Sequence, residues 1–241
     1  MEDSQVKIRA PETHGFDALL FDMDGTIIDS TPAIIKYWLQ MGENIGVDGN
    51  EILKTSHGRR SIDVLSILAP NLANWDYVCK AEGRIPIDYG SDAVEVPGSR
   101  KLLDRLQSLN APWAIVTSGT TPLVTGWLDK MKLAQPKHMV TAEEVEKGKP
   151  DPACYRLGAK RLGFDDTSNK RILVLEDAPA GVRAGKAAGF DVLGLVTTHS
   201  FAELQTAGAD WIVKDLDSID CIGMQTGTGL VKIRIRDGLW E

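Results

Sequence analysis

Two aspartates one residue apart, in Asp22-Met23-Asp24-Gly25-Thr26, stand where the apolar run Ala18-Leu19-Leu20-Phe21 stops abruptly. On an extended strand, side chains two apart share a face, so both carboxylates are expected in one site while Met23 turns away. Carboxylates so close repel each other and need a cation or a shared proton. A calcium loop does not fit: Thr26 holds its fifth position, Ile27 replaces the glycine at the sixth and Ala33 the closing glutamate. A second acidic pair, Glu176-Asp177, follows the apolar run 172–175. Alone it could simply cap a helix beginning near Ala178-Pro179. Together the two pairs offer three or four hard oxygen ligands, a set suited to Mg²⁺ with water and a phosphate completing the shell.

Two other segments could meet such a phosphate. Trp113–Val116 runs into Thr117-Ser118-Gly119-Thr120, where hydroxyls before a glycine expose backbone N–H groups able to hold a phosphate oxygen. A capped turn would have the same composition. Lys149 lies in Gly148-Lys149-Pro150-Asp151-Pro152, just before a Pro-initiated helix. This is no Walker loop, because the first glycine is missing and Pro150 stands where Ser or Thr is required. Aimed at the carboxylates, the lysine would neutralise both them and a substrate phosphate; aimed elsewhere, it is only solvated.

These four segments need a frame that brings them together. The short apolar runs Ala18–Phe21, Trp113–Val116, 172–175, 192–196 and Trp211–Val213, with a weaker one at 138–140, read as strands buried on both faces. Helical patterns separate them. Leu102, Leu103, Leu106 and Leu109 form a stripe, Gly163 and Gly189 stop two further helices, and Ser200 with Glu203 marks a capping box closed by Gly208. Alternating strands and helices predict an α/β fold, a Rossmann-like parallel sheet with helices on both faces. Ligands of such sheets bind beyond the carboxyl ends of the strands, where all four signals fall.

One stretch interrupts the alternation. From the expected N-cap and first helical residue Thr31-Pro32 to about Val94, only helical spacings appear: Ile34, Ile35, Trp38 and Leu39, then Ile62, Leu65, Ile67 and Leu68, then Trp75, Val78 and Cys79. The expected organisation is an α/β core of residues 1–30 and 96–241 with a helical domain, 31–95, inserted after the first strand. Residues 1–15 read as a loose arm, with an edge strand as the alternative. The alternating tail Val231-Lys-Ile-Arg-Ile-Arg236 reads as an exposed edge strand with its charged face in water.

Composition narrows the partners. The 241 residues carry 27 basic and 34 acidic side chains, a net charge of −7. That argues against a nucleic-acid or anionic-membrane surface, so an anionic substrate must be met by local positive charge. No apolar run approaches the ~20 residues that cross a bilayer. The three cysteines form no metal or disulfide pattern and read as buried or half-buried thiols. The N-terminus carries acidic residues and no apolar core segment, so no secretory signal is expected. A cytoplasmic monomer is expected, acting on a small phosphorylated metabolite.

Taken in order, the four segments resemble the four motifs of the haloacid dehalogenase superfamily, with a helical cap after the first, and the similarity covers nearly the whole chain beyond residue 15. Within it, Ser56-His57-Gly58-Arg59-Arg60, Val116-Thr-Ser-Gly-Thr120, Gly148-Lys-Pro-Asp-Pro152 and Glu176-Asp-Ala-Pro-Ala-Gly181 resemble the glycerol-3-phosphate and 2-deoxyglucose-6-phosphate phosphatases. The resemblance implies a Mg²⁺-dependent phosphatase for a polyol or sugar phosphate, glycerol 3-phosphate favoured. It implies Asp22 as nucleophile and Asp24 as general acid and base. Thr117, Ser118, Gly119 and Lys149 would hold the phosphoryl group. Metal ligation would fall to Asp22, Asp177 and Asp24, through the backbone carbonyl of the last, with Glu176 a weaker candidate. His57, Arg59 and Arg60 are either a solvated basic face or the groups that read the leaving group.

Three other readings are open to a sequence of this kind. A phosphosugar mutase would share all four motifs and return phosphate to the sugar. A non-catalytic binder would be expected to lose an acidic position, and none is lost. A dinucleotide-binding oxidoreductase would need Gly-x-Gly-x-x-Gly after the first strand, where Asp22–Thr26 stands instead; Gly227-Thr228-Gly229 precedes no helical pattern.

Overall fold

Six of the apolar runs pair into one parallel sheet in a computed structural model that describes residues 7–56 and 58–240. The strands are β1 (Ala18–Phe21), β2 (Trp113–Val116), β3 (Met139–Val140), β4 (Ile172–Glu176), β5 (Asp191–Leu195) and β6 (Trp211–Val213), in the spatial order β6-β5-β4-β1-β2-β3. Chain order reverses on either side of β1. Leu20 of β1 pairs with Val174 of β4 and with Ala114 of β2, so the loops after these three strands open side by side.

Continuous apolar runs form these strands because both faces are covered. Leu19, Phe21, Ile115, Leu173 and Leu175 face one core, completed by α6 (Ser99–Ser108) and α7 (Thr121–Met131). Ala18, Leu20, Ala114, Val116 and Val174 face the other, beneath α8 (Ala153–Arg161), α9 (Pro179–Ala188) and α10 (Phe201–Ala207). Stops fall where expected: Gly189 and Gly208 end α9 and α10 in the left-handed conformation, and Ser200 and Glu203 form the capping box of α10.

The inserted region folds as α1 (Thr31–Ile45), α2 (Gly49–Ser56), α3 (Ser61–Leu68), α4 (Trp75–Glu82) and the short α5 (Ile85–Asp88). Its two ends are drawn together by an antiparallel pair, Ile28–Asp29 with Val94–Glu95. Trp38, Met41, Ile52, Leu65 and Val78 join the same apolar core as Phe21 and Trp127, so the insert is packed onto the sheet's carboxyl edge.

Three local expectations are corrected. The tail strand Val231–Ile235 is the middle of a three-stranded antiparallel sheet, between Ile219–Met224 and Glu12–Phe16, with Val231, Ile233 and Ile235 buried. Its alternation marks one buried face, and its partner Glu12–Phe16 is an edge strand, the alternative to the loose arm. The α1 N-cap is Ser30, one residue earlier than expected, and its hydroxyl makes no capping bond. Finally, β1 ends at Phe21, so Asp22 and Asp24 stand in the loop beyond it. All three cysteines are free, Cys154 and Cys221 buried and Cys79 half-buried. Among the described residues, no helix is long and apolar enough to cross a membrane.

Candidate active site

Lys149 is the hub of the cluster. It follows β3 and the turn Ala142–Glu144, and its Nζ donates to Asp22 Oδ1 at 2.5 Å and to Glu176 Oε1 at 2.7 Å. All three residues are buried. Burial by itself would lower the Lys149 ammonium, but the Asp22 and Glu176 charges outweigh it and hold the group well above its usual range. Burial pushes Asp22 well above the carboxylate range, against the pull of Lys149. Tyr155 of α8 closes the hub, donating to Glu176 Oε1 at 2.9 Å with its ring beneath the ammonium.

Glu176 has little left to offer. Its second oxygen accepts from the backbone N–H groups of Asp177 and Ala178, both at 3.0 Å, at the start of α9. Gly181, one turn on, leaves the room this needs, since a Cβ there would overlap the Glu176 carboxylate.

Asp22, Asp24 and Asp177 line one cleft with Thr117, Ser118 and Gly119. The loop after β1 can turn back because Gly25 sits at φ +91°, and any Cβ there would strike the Asp177 carboxylate. Met23 is buried in the core, so the two aspartates do share a site, although by a loop and not by strand alternation. Ser30 donates to Asp24 Oδ1 at 2.5 Å, which is why it does not cap α1. Asp177 accepts from Thr26 at 3.1 Å and from Thr198. Burial first, and then the Glu176 charge, push Asp177 up to about 7. Gly119 N–H donates to Thr117 Oγ1 at 3.0 Å, fixing the turn after β2.

The donor set fits a hard divalent cation. One carboxylate oxygen from each of Asp22, Glu176 and Asp177 lies within 4.8 Å of the others, and with Asp24 there are four buried or half-buried carboxyl groups against a single ammonium. A cation with a preference for oxygen would offset that excess, and Mg²⁺ meets the description.

The insert supplies the far wall. Ser118 Oγ donates to Gly58 O at 3.0 Å, tying the loop after β2 to the insert, and Arg59 lines the cleft. Arg60 does not. Its guanidinium spends every N–H group elsewhere: two on Asp63 and three on the carbonyls of Ala142, Val145 and Glu146. His57 lies outside the described residues. Among groups that sequence reading missed, Thr198 follows β5 at the same sheet edge, a signal that was available. Ser30, Tyr155 and Glu82 carry none. Glu82, at the end of α4, is buried in the cleft wall and accepts from Ser61 Oγ at 2.5 Å and Thr120 N at 2.8 Å.

The family model for haloacid dehalogenase-like hydrolases matches residues 16–189. The chain is 40% identical to glycerol-1-phosphate phosphohydrolase 2 of Saccharomyces cerevisiae, over 93% of its own length and 92% of that protein. It is 35% identical to 2-deoxyglucose-6-phosphate phosphatase 1 of the same yeast, over 86% and 90%. Its fold is similar to that of a hydrolase from Pseudomonas syringae, with a TM-score of 0.69 and 25% identity over 83% of this chain and 94% of that one. Matched through most of its length by one family of hydrolases and by phosphatases within it, the chain belongs to the haloacid dehalogenase-like hydrolases and is a phosphoric monoester hydrolase of that type.

Proposed function

We propose that the protein is a Mg²⁺-dependent phosphatase of a small polyol or sugar phosphate, with glycerol phosphate the favoured substrate, working through an aspartyl-phosphate on Asp22. The carrying observation is the meeting of Asp22, Asp24 and Asp177 with the Thr117–Gly119 turn around one cleft, with Lys149 bonded to Asp22.

In this reading an Asp22 oxygen attacks phosphorus while the bond to the ester oxygen breaks. Asp24 gives its proton to the departing alkoxide, then takes one from the water that hydrolyses the acyl phosphate, releasing inorganic phosphate and restoring Asp22. Lys149 holds Asp22 in place and offsets charge on the phosphoryl oxygens, which the Thr117–Gly119 turn also contacts. Asp22, Asp177 and the backbone carbonyl of Asp24 would hold the metal, which when bound neutralises phosphoryl charge for in-line transfer. Glu176 anchors Lys149 and the start of α9 and is not assigned as a ligand, because its oxygens are already engaged four times.

The substrate side is supported by the polar groups that the insert adds to the wall of the cleft and by the activities for which the yeast relatives are named. A panel of phosphate monoesters ranked by kcat/KM, with release of inorganic phosphate measured without any bisphosphate activator, tests it. Glycerol or another polyol phosphate should rank first. Turnover that needs a bisphosphate would instead indicate a mutase.

A further inference from the structure

The wall of the cleft built by the insert holds polar atoms that phosphoryl transfer does not use. Tyr37 of α1 and Ser56 at the end of α2 both line it and are 7% and 5% exposed. Tyr37 Oη and Ser56 Oγ are buried with no hydrogen-bond partner among the described residues. A buried hydroxyl left unpaired forfeits its hydration and regains nothing, so native proteins rarely keep one without a use. Of the buried polar atoms without a partner among the described residues, these two face one cleft, from different helices.

Their surroundings restrict what could pair with them. Glu82 carries two accepted bonds, one on each oxygen, which leaves lone pairs free. Burial first, and then the Glu82 charge, push the Tyr37 hydroxyl up, with the nearby Ser61 pulling the other way, so it stays a neutral donor. Arg59 lines the same cleft with no ion pair among the described residues, and once Glu82 ionises, above about pH 7, its charge balances that of Glu82. Ile34, Trp38 and Leu123 provide apolar surface beside them. A wall that donates, accepts and carries no net charge suits a group with several hydroxyls on a short carbon chain. A second anionic group would face Glu82, and an apolar group would leave both hydroxyls unpaired.

We propose that Tyr37 and Ser56 determine specificity by hydrogen-bonding hydroxyl groups of the alcohol being released, with Glu82 as the accepting partner. Selection for a polyhydroxylated, uncharged leaving group then rests on these residues and not on the basic cluster around Arg60. This rests on the phosphatase reading above and extends it to the leaving-group side of the same cleft.

The test compares two esters with one phosphoryl group in common: glycerol 3-phosphate, whose leaving group carries hydroxyls, and p-nitrophenyl phosphate, whose leaving group carries none. For Tyr37→Phe and for Ser56→Ala, each a one-atom deletion, the ratio of kcat/KM for glycerol 3-phosphate to that for p-nitrophenyl phosphate should fall roughly fivefold to tenfold, the loss of one neutral hydrogen bond. The fall should lie mainly in KM for the polyol ester. Equal losses on both esters would make the two hydroxyls structural, and an unchanged ratio in both variants would leave them outside the subsite; either result overturns the proposal. If the parent hydrolyses p-nitrophenyl phosphate but neither glycerol 3-phosphate nor sorbitol 6-phosphate, the proposal fails while the phosphatase reading stands. If the parent hydrolyses none of the three with Mg²⁺ present, both fail.

Discussion

Lys149 joins Asp22 to Glu176 with one ammonium, and the two carboxylates around it have different surroundings. Asp22 faces the cleft, whereas Glu176 is spent on Lys149, Tyr155 and the start of α9. Substituting each therefore has a separate signature. Asp22→Asn should abolish turnover in a folded protein, because an amide is a poor nucleophile and a poor ligand for a hard cation. Asp177→Asn should raise the Mg²⁺ concentration needed for half-maximal activity by at least tenfold. Glu176→Gln should cut kcat roughly 10–100-fold, the usual scale for a group that orients others, with little change in the Mg²⁺ requirement. A magnesium titration of the two variants side by side checks this, and a Glu176→Gln enzyme that needs far more metal would return Glu176 to the ligand set.

Elements, not single groups, fix the insert over the sheet. Arg60 straps the N-terminus of α3 to the turn 142–146, just ahead of Lys149, while its neighbour Arg59 lines the cleft. Arg60→Ala should lower stability to denaturant by about 2–4 kcal/mol, since it strips three backbone carbonyls and Asp63 of a charged donor. Arg59→Ala should change stability by less than about 0.5 kcal/mol and act on turnover instead. Glu82 adds a pH dependence. Burial moves its carboxyl from 4.5 up to about 7, so between those values the folded protein keeps a proton that the unfolded chain has lost. Stability contributed by this group therefore falls as pH rises through that window, by on the order of 3 kcal/mol once both states are ionised. Unfolding measured at pH 5 and pH 8 should show Glu82→Gln losing less stability than the parent across the interval. An equal or larger loss in the variant would contradict the burial account.

At the scale of the molecule, the sheet order around β1 is what makes four distant segments one site. That much was legible, because each buried parallel strand is a continuous apolar run and each candidate segment begins where such a run ends. The antiparallel sheet of Glu12–Phe16, Ile219–Met224 and Val231–Ile235 was not. Alternation in Val231–Ile235 shows that one face is buried but not whether both edges are paired. The carboxylates proposed for catalysis are marked by local motif, whereas Ser30, Tyr155 and Glu82 make contacts that only the folded chain creates. Arg59 and Arg60 show the same limit. Adjacent and chemically alike in sequence, they face different surroundings because the helix α3 that follows turns one guanidinium into a buried strap.

The proposed mechanism passes phosphate through a covalent bond to Asp22. Quenching the enzyme in acid during turnover of glycerol 3-phosphate with Mg²⁺, cleaving any acyl phosphate reductively with borohydride and mapping the altered residue by peptide mass spectrometry tests it most directly. Modification is expected at Asp22 in the parent enzyme and none in Asp22→Asn. Modification confined to another residue, or full turnover by Asp22→Asn with no acyl phosphate at all, would contradict it.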